Sequence, residues 1–458
     1  MLSKENLEEI LAIALSRGGD FADIFIEENV SNSILLEDNR IEKITSGTSS
    51  GAGIRIIAGD IISYASTSLV NLEEMKKAAK LVSESIPKQK PKTIKTLKPT
   101  ISNLAYPIKI RPNEVSIKDK IDPLMLANKT VRKFGDSIKQ ATIRYGDSNQ
   151  SITIANSDGI YIEDNRIHSR YFINVIVAKD NILETGYEGP GASCGFELFE
   201  KYPIEKFAAK ASERALLMLS APHAPSGTMP VILTSEAGGV LIHEACGHGL
   251  EADFIMKETS VYAGKIGQKV ASELVTIIDD GTIIGNYGTF RFDDEGTPSQ
   301  KNILIENGIL KGFMSDRYNA RKLNLKPSGN GRRESFHSKP QPRMTNTYMA
   351  PGKMDPQEVI DSIKNGLLVK HMGGGQVNVT NGDFVFQITE GYIIENGKIK
   401  HPVRGAIITG NGPQILREID MVGNDLHFIP GVCGKFDHAP VTDAQPTTRI
   451  PKITVGGR

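Results

Sequence analysis

Two histidines five residues apart, flanking a carboxylate, set the tightest limit on how this chain can fold. In His243-Glu244-Ala245-Cys246-Gly247-His248 a regular α-helix cannot aim both rings at one point. Residues at i and i+4 lie about 40° apart around a helix, whereas i and i+5 lie about 140° apart. The segment therefore carries one residue more than the HExxH spacing with which two imidazoles reach one ion. This predicts a local irregularity. Either the helix holds a π-bulge, a single wider turn often found at functional sites, or it breaks at Gly247 and His248 returns from the following turn.

The residues just before His243 are apolar (Val240, Leu241, Ile242), so the helix is expected to be buried on most faces. A buried carboxylate is costly unless paired, and buried imidazoles need partners too. A bound Zn²⁺ would meet these needs together: two neutral imidazoles ligate it, and Glu244 can take a proton from the water it acidifies and pass it to a leaving amine. The bland alternative is a pair of satisfied core histidines, and the His-Glu pairing with a second His favours the metal. A catalytic zinc needs a third protein ligand and one open position. Glu251, with Asp253 behind it, is the local candidate; Cys433, in Gly431-Val432-Cys433-Gly434, is the distant one. Spacing leaves both open. Cys246 reads as a small core residue and Cys194 as a loop residue.

At 458 residues the chain is long for one core, and two domains are the natural expectation. Lys+Arg and Asp+Glu are each 54, so the global positive field of a non-specific nucleic-acid binder is missing. Three cysteines in so long a chain do not form a disulfide framework and point to a reducing, cytoplasmic compartment. No apolar run approaches the length needed to span a bilayer.

Leu7, Ile10, Leu11, Ala14 and Leu15 fall at helical spacing, with Gly18 as a stop. Residues 22–68 read as strands and turns, with a Gly/Ser-rich bend at 46–53 and a hairpin within 54–63; Asn71 and Glu74 then mark a helix running to about Ser85. The Lys/Pro run from 87 to 99 is a solvated loop. The string Glu-Asp-Asn-Arg-Ile occurs at 37–41 and again at 163–167, which suggests related hairpins within one sheet. Helical segments near 116–135 and 203–220 fit against that sheet. Beyond a boundary strip at 220–227, residues 231–234 read as a strand and Ser235-Glu236 as the start of the helix leading into the His/Glu motif. Asp-Gly at 280 and Asn-Gly at 307, 381 and 396 signal hairpins. The expected class is α+β: an N-terminal domain (1–220) with an antiparallel sheet and flanking helices, then a C-terminal, mostly-β domain (221–458), with bent sheets or a barrel, carrying the metal-site helix.

The segment from His243 to Asp253 resembles the signature of the TldD subunit of the TldD/TldE (PmbA) metalloproteases. The likeness extends through Asp293-Asp294-Glu295-Gly296-Thr297-Pro298, the run from Pro342 to Met349, Gly373-Gly374-Gly375-Gln376-Val377, Gly431 to Lys435 and Ile453 to Gly457. With a weaker N-terminal match it covers nearly the whole chain. The resemblance implies a zinc metallopeptidase of HExxxH type, with His243, His248 and Cys433 as ligands and Glu244 as general base. It also implies a paralogous TldE-like partner that lacks the metal motif, with a homodimer as the alternative for the isolated chain, and unfolded or small peptides as substrates. The family's older label as a gyrase modulator does not require DNA contact, in keeping with the balanced charge. One departure is Asp437-His438, where the family has a Gly-Gln-like pair; it makes His438 a candidate fourth ligand or transition-state donor, weighed against a bystander. Arg332-Arg333-Glu334 and Arg343 suit carboxylate or carbonyl recognition, and salt bridges account for them equally well. The competing readings are a catalytically silent scaffold subunit and a hydrolase with a two-His, one-carboxylate site in which Glu251 replaces Cys433.

Overall fold

The structure, a computed structural model, describes residues 2–457. Ser3 opens the first helix through a reciprocal cap with Asn6, and α1 (Lys4–Ala14) buries Leu7, Ile10, Leu11 and Ala14. The side chain of Asn71 accepts the Glu74 N–H to start α2 (Leu72–Glu84). Ser116 does the same for α3 (Ile117–Arg132), and α4 spans Ile204–Ser220. All four helices lie on one face of an antiparallel sheet built from β1 (Phe21–Glu37), β2 (Arg40–Ala58), β3 (Ile61–Thr67), β4 (Ile138–Asn156), β5 (Ile160–Lys179) and β6 (Ile182–Glu188). Its order is β3-β2-β1-β4-β5, with β6 on β5. Helices α1 and α2 pack on Ile24, Ile54 and Ile56; α3 and α4 pack on Ile143, Tyr145, Tyr171 and Ile173.

Because side chains alternate along a strand, the other face of the sheet presents Phe25, Ile152, Ile154 and Ile162, which meet Phe292 and Phe336 from the second half of the chain. That half contains β7 (Gly227–Leu233), β8 (Ile277–Asp280), β9 (Lys301–Glu306), β10 (Asn346–Met349), β11 (Asn365–Val377), β12 (Asp383–Glu395), β13 (Ile407–Asn411), β14 (His427–Gly434), β15 (His438–Gln445) and β16 (Thr448–Gly456). Five of these close into a barrel, β11-β7-β16-β13-β12, through the β11–β12 pairing. The others form a second sheet in the order β9-β8-β10-β15-β14, which leaves β14 at an edge. The largest apolar cluster lies between barrel and sheet and surrounds Leu241, Ile242, Ala245 and Cys246 of the motif. The fold is α+β as expected. No helix among the described residues is long and apolar enough to cross a membrane.

Four local expectations are corrected. The Gly/Ser run at 46–53 does not bend: β2 passes through it, paired with β1 from end to end. Its glycines admit neighbours instead, since a Cβ at Gly51 or Gly53 would overlap Phe336 or Tyr64. Of the two Glu-Asp-Asn-Arg-Ile copies only the first is a turn, with Asp38 and Asn39 at positive φ. The second runs inside β5, where Asp164 and Arg166 are tied to Arg291 and Asp294. Asp280-Gly281 does not close a tight hairpin; residues 281–300 form an excursion that reaches the N-terminal sheet before β9 returns to pair with β8. Finally, the motif helix starts at Val240 rather than Ser235. Gly238 and Gly239 adopt φ of 85° and 72°, and a Cβ at Gly239 would sit 2.4 Å from the Ala444 nitrogen, so only glycine lets the chain turn here against β15.

Candidate metal centre

The excess residue is absorbed by a π-helical turn. After one α-helical turn (Val240–Ile242) the backbone widens over His243–Gly247, and the His248 N–H donates to the His243 carbonyl five residues back. The chain then tightens through His248–Leu250. Three contacts hold the wide turn: the Tyr262 hydroxyl donates to the Ala245 carbonyl at 3.0 Å, Gly412 packs on Ala245, and Met344 packs where a Cβ on Gly247 would stand 2.3 Å from its sulfur.

This turn brings the two rings within 4.9 Å, centroid to centroid, nearly perpendicular. The edge strand β14 adds Cys433, whose Sγ lies 3.4 Å from His248 Nε2. Ligand-type atoms of His243, His248 and Cys433, all buried, fall within 4.8 Å of one another. The sequence left the third position open between Cys433 and Glu251, and the structure brings Cys433 to the cluster.

Glu251 lies on the far side of the ring, its Oε2 3.1 Å from His248 Nδ1. Asp443 on β15 does the same for His243, Oδ1 to Nδ1 at 2.9 Å. Carboxylates at both Nδ1 atoms fix an N–H there and turn each Nε2 to the shared space, where it offers a lone pair once its own proton has left. Lys435 bridges Glu251 and Asp253 at 3.1 and 2.7 Å, so neither carboxylate is free. Arg343 fixes the thiol strand: it donates to the Cys433 carbonyl at 2.6 Å and to the Asp437 carbonyl at 3.0 Å. Asp443, Lys435 and the role of Arg343 went unread in the sequence; the one signal was a lone acid in the otherwise uncharged run Ala439 to Gln445.

Charges inside the cluster reinforce one another. Burial pushes the Cys433 thiol up, but His243 and His248 outweigh it and bring the pKa to about 5. Burial lowers both imidazoles, yet Asp443 and Cys433 hold His243 well above its usual value, and Glu251 with Cys433 lifts His248 to about 9. Glu244 is half-buried; burial raises its carboxyl, opposed by the two imidazoles. Cys246 bonds the Ile242 carbonyl and burial pushes it to about 12, a core residue as read. Cys194 is also buried, in a bend between β6 and α4. His438 points to solvent beside Glu334 and is not part of the cluster.

Two imidazoles and a readily ionised thiol, with both Nδ1 positions already taken by carboxylates, fit a soft divalent ion such as Zn²⁺.

Comparison with known proteins covers the same ground. Three consecutive segments match the PmbA/TldA metallopeptidase descriptions: domain 1 over residues 22–86, the central domain over 110–219 and the C-terminal domain over 226–457. The chain is 39% identical to the metalloprotease TldD homolog of Haemophilus influenzae, covering 100% of this chain and 97% of that protein. It is 38% identical to the namesake in Buchnera aphidicola, covering 96% and 93%. A protein of Saccharolobus solfataricus called zinc metalloprotease TldD homolog is 29% identical, over 96% and 97%. Among solved structures, a Thermotoga maritima protein described as a modulator of a DNA gyrase superposes with a TM-score of 0.81 at 24% identity, over 99% and 100% of the chains. TldE from Thermococcus kodakarensis superposes at 0.77 with 21% identity, over 99% and 100%.

Proposed function

The chain belongs to the PmbA/TldA metallopeptidase family, and from that premise we propose that it is a zinc-dependent peptidase acting on unfolded or small peptides. The observation that carries this reading is the convergence of His243, His248 and Cys433 on the π-helical turn. These three residues hold the ion. Zinc bound there supplies Lewis acidity toward water and a peptide carbonyl.

The remaining work falls to the protein's own groups. Glu244 adjoins the first ligand, its carboxylate has no hydrogen-bond partner among the described residues, and burial raises its pKa; both suit a group that accepts a proton from the attacking water and returns it to the leaving amine. Asp443 and Glu251 keep the imidazoles oriented throughout, and Arg343 keeps the Cys433 carbonyl, and with it the thiolate, in place. The likeness to a TldE structure supports a paralogous TldE-like subunit as the working partner in a heterodimer, with a homodimer for the isolated chain. The free thiols support a cytoplasmic setting, and a division near residue 220 into two domains accords with the separate sheets.

Zinc content and peptide hydrolysis, with and without the co-expressed paralogue, test the proposal. Glu244→Gln is expected to keep zinc and lose about 10²–10⁴-fold in rate, the range for a general base; Cys433→Ser is expected to lose the zinc itself. Purified protein without zinc, or a Glu244→Gln variant that cleaves as well as its parent, overturns it.

A further inference from the structure

Among the arginines of the second half near the metal turn or the joint with the first sheet, Arg343, Arg333, Arg317 and Arg332 have different partners. Arg343 is committed to Asp437 and the Cys433 carbonyl. Arg333 is committed to the Asp294 carbonyl and stacks on Phe25. Arg317 pairs with Asp158. Arg332 has no carboxylate within ion-pair distance among the described residues. Only 7% exposed, it makes one hydrogen bond, from Nη1 to the Met344 carbonyl at 2.6 Å. Its Nε and Nη2 have no protein partner, yet they are not among the atoms sealed from solvent.

The surroundings are cationic and aromatic. The Arg332 guanidinium lies 5.1 Å from the centre of the Phe290 ring, and Arg166 lies 5.6 Å from the same ring. Arg166, His168 and Arg170 alternate along β5 and so share its face toward the second half of the chain. Arg166 is neutralised by Asp294 at 2.6 Å. Among the described residues Arg170 has no acidic partner: it donates to the Pro430 carbonyl at 3.2 Å, stacks on Phe172, and leaves Nε enclosed without a partner. Between the two unneutralised guanidinium groups, His168 packs edge-on against Tyr287. Burial, with Arg332 and Arg166 nearby, holds His168 at about 3, so it stays a neutral ring. Burial also lowers Arg332 to about 10, with Arg343 and Arg166 adding to it and Asp294 opposing, which leaves it charged near neutral pH.

Three contacts tie this cluster to segments that carry the metal centre. Met344, whose carbonyl Arg332 holds, packs on Gly247 of the π turn. Pro430, held by Arg170, stands three residues before Cys433 on β14. The Tyr287 N–H donates to Thr442 Oγ1 at 2.9 Å, next to Asp443.

A guanidinium buried without a counter-charge is costly, and an anionic group that completes its planar fork removes the cost. We infer that Arg332, with Arg170, forms a subsite for a substrate carboxylate on the segments that carry the metal turn, with His168 and Tyr287 as its neutral wall. On the peptidase reading, from which this follows, the carboxylate is the C-terminus of a peptide or an acidic side chain, and the subsite sets where along the peptide cleavage falls.

The test measures binding of labelled peptides to full-length Glu244→Gln protein, with zinc content recorded for each preparation. One peptide carries a free C-terminus and its twin a C-terminal amide; a second pair differs by Glu or Gln at an internal position. The free acid, or the Glu peptide, is expected to bind at least roughly tenfold tighter than its neutral twin, the yield of a charge-assisted hydrogen bond. Arg332→Gln, which keeps a donor for the Met344 carbonyl, is expected to erase that preference while the neutral twin binds as before. Which pair responds identifies the source of the carboxylate. Equal binding within both pairs overturns the subsite without any mutation, and so does a preference that survives Arg332→Gln. Because the readout is binding, a zinc-free or inactive preparation counts against the peptidase reading and not against the subsite.

Discussion

Two buried clusters in this molecule are equally dense in charge and do opposite things. One is the metal turn. The other is the joint where the 281–300 excursion meets the N-terminal sheet: Arg55, 1% exposed, sits between Asp23 and Glu295, the latter at 2.7 Å, while Asp293 and Asp316 lie close by. At the joint the carboxylates are spent on cations and backbone N–H groups. Asp293 takes backbone N–H groups of Glu295, Thr297 and Gly331, and Asp294 takes Arg166 and the Arg333 N–H. At the metal turn the outer ring positions are spent and the inner ones face each other. Buried charge therefore does not mark a site here; lone pairs left facing a common space do.

The largest expected effect breaks the joint. Arg55→Met leaves Asp23 and Glu295 buried without their cation, which should cost about 3–5 kcal/mol of stability. Denaturant unfolding would measure it, and zinc stoichiometry in the folded fraction should stay unchanged. A variant as stable as its parent would mean the joint is not held by this pairing.

A smaller change sharpens the other side. Asp443→Asn keeps the shape but withdraws the charge behind His243, and loss of such an outer partner typically weakens metal binding by about 10–100-fold. Chelator competition would read this, with global stability moving far less than in Arg55→Met. An unaltered zinc affinity would remove Asp443 from the site.

The smallest effect is a pH dependence at the joint. Burial raises Asp316, Glu295 adds to it, and together with the opposing hydrogen bonds from Asn319 they leave it at about 7. A carboxyl raised on folding binds its proton in the folded chain while the unfolded one has released it, so its contribution is complete below the unfolded value and lost as pH climbs through about 7. Asp316→Asn retains an N-cap for Arg317–Lys322 and removes that titration. The stability of the variant relative to its parent should therefore rise between pH 5 and 9 by roughly 1 to 3 kcal/mol, the scale of the part of the shift, about two pKa units, that lies above pH 5. A constant difference across that range would show that Asp316 does not titrate there.

How much of this was legible in the sequence depended on range. The i, i+5 spacing of the histidines forced a wide turn or a break, and the wide turn is present. Caps at Asn71 and turns at Asn307-Gly308 and Asn396-Gly397 are local chemistry and were readable as such. Asp443 was not, because its meaning depends on β15 lying against the motif helix, an outcome of sheet order that no spacing encodes. Glu251 was legible as a candidate but its role was not: three residues beyond His248 it can reach either the ion or the back of the ring, and the direction of the ring, here with Nδ1 toward Glu251, decides. The repeated Glu-Asp-Asn-Arg-Ile string misled for the same reason, since in β5 its acid and its arginine are held by Arg291 and Asp294 from far along the chain.

The edge position of β14 has a consequence for chain synthesis. His248 lies 185 residues ahead of Cys433, and the strand that closes the barrel on β7 comes later still. A ribosome-bound chain growing from its N-terminus thus carries two histidines and a carboxylate through 185 residues of its elongation before the thiol that joins them is made. On the peptidase reading, the unfinished chain lacks a metal ligand while its own segments are exposed, and the full ligand set arrives together with barrel closure.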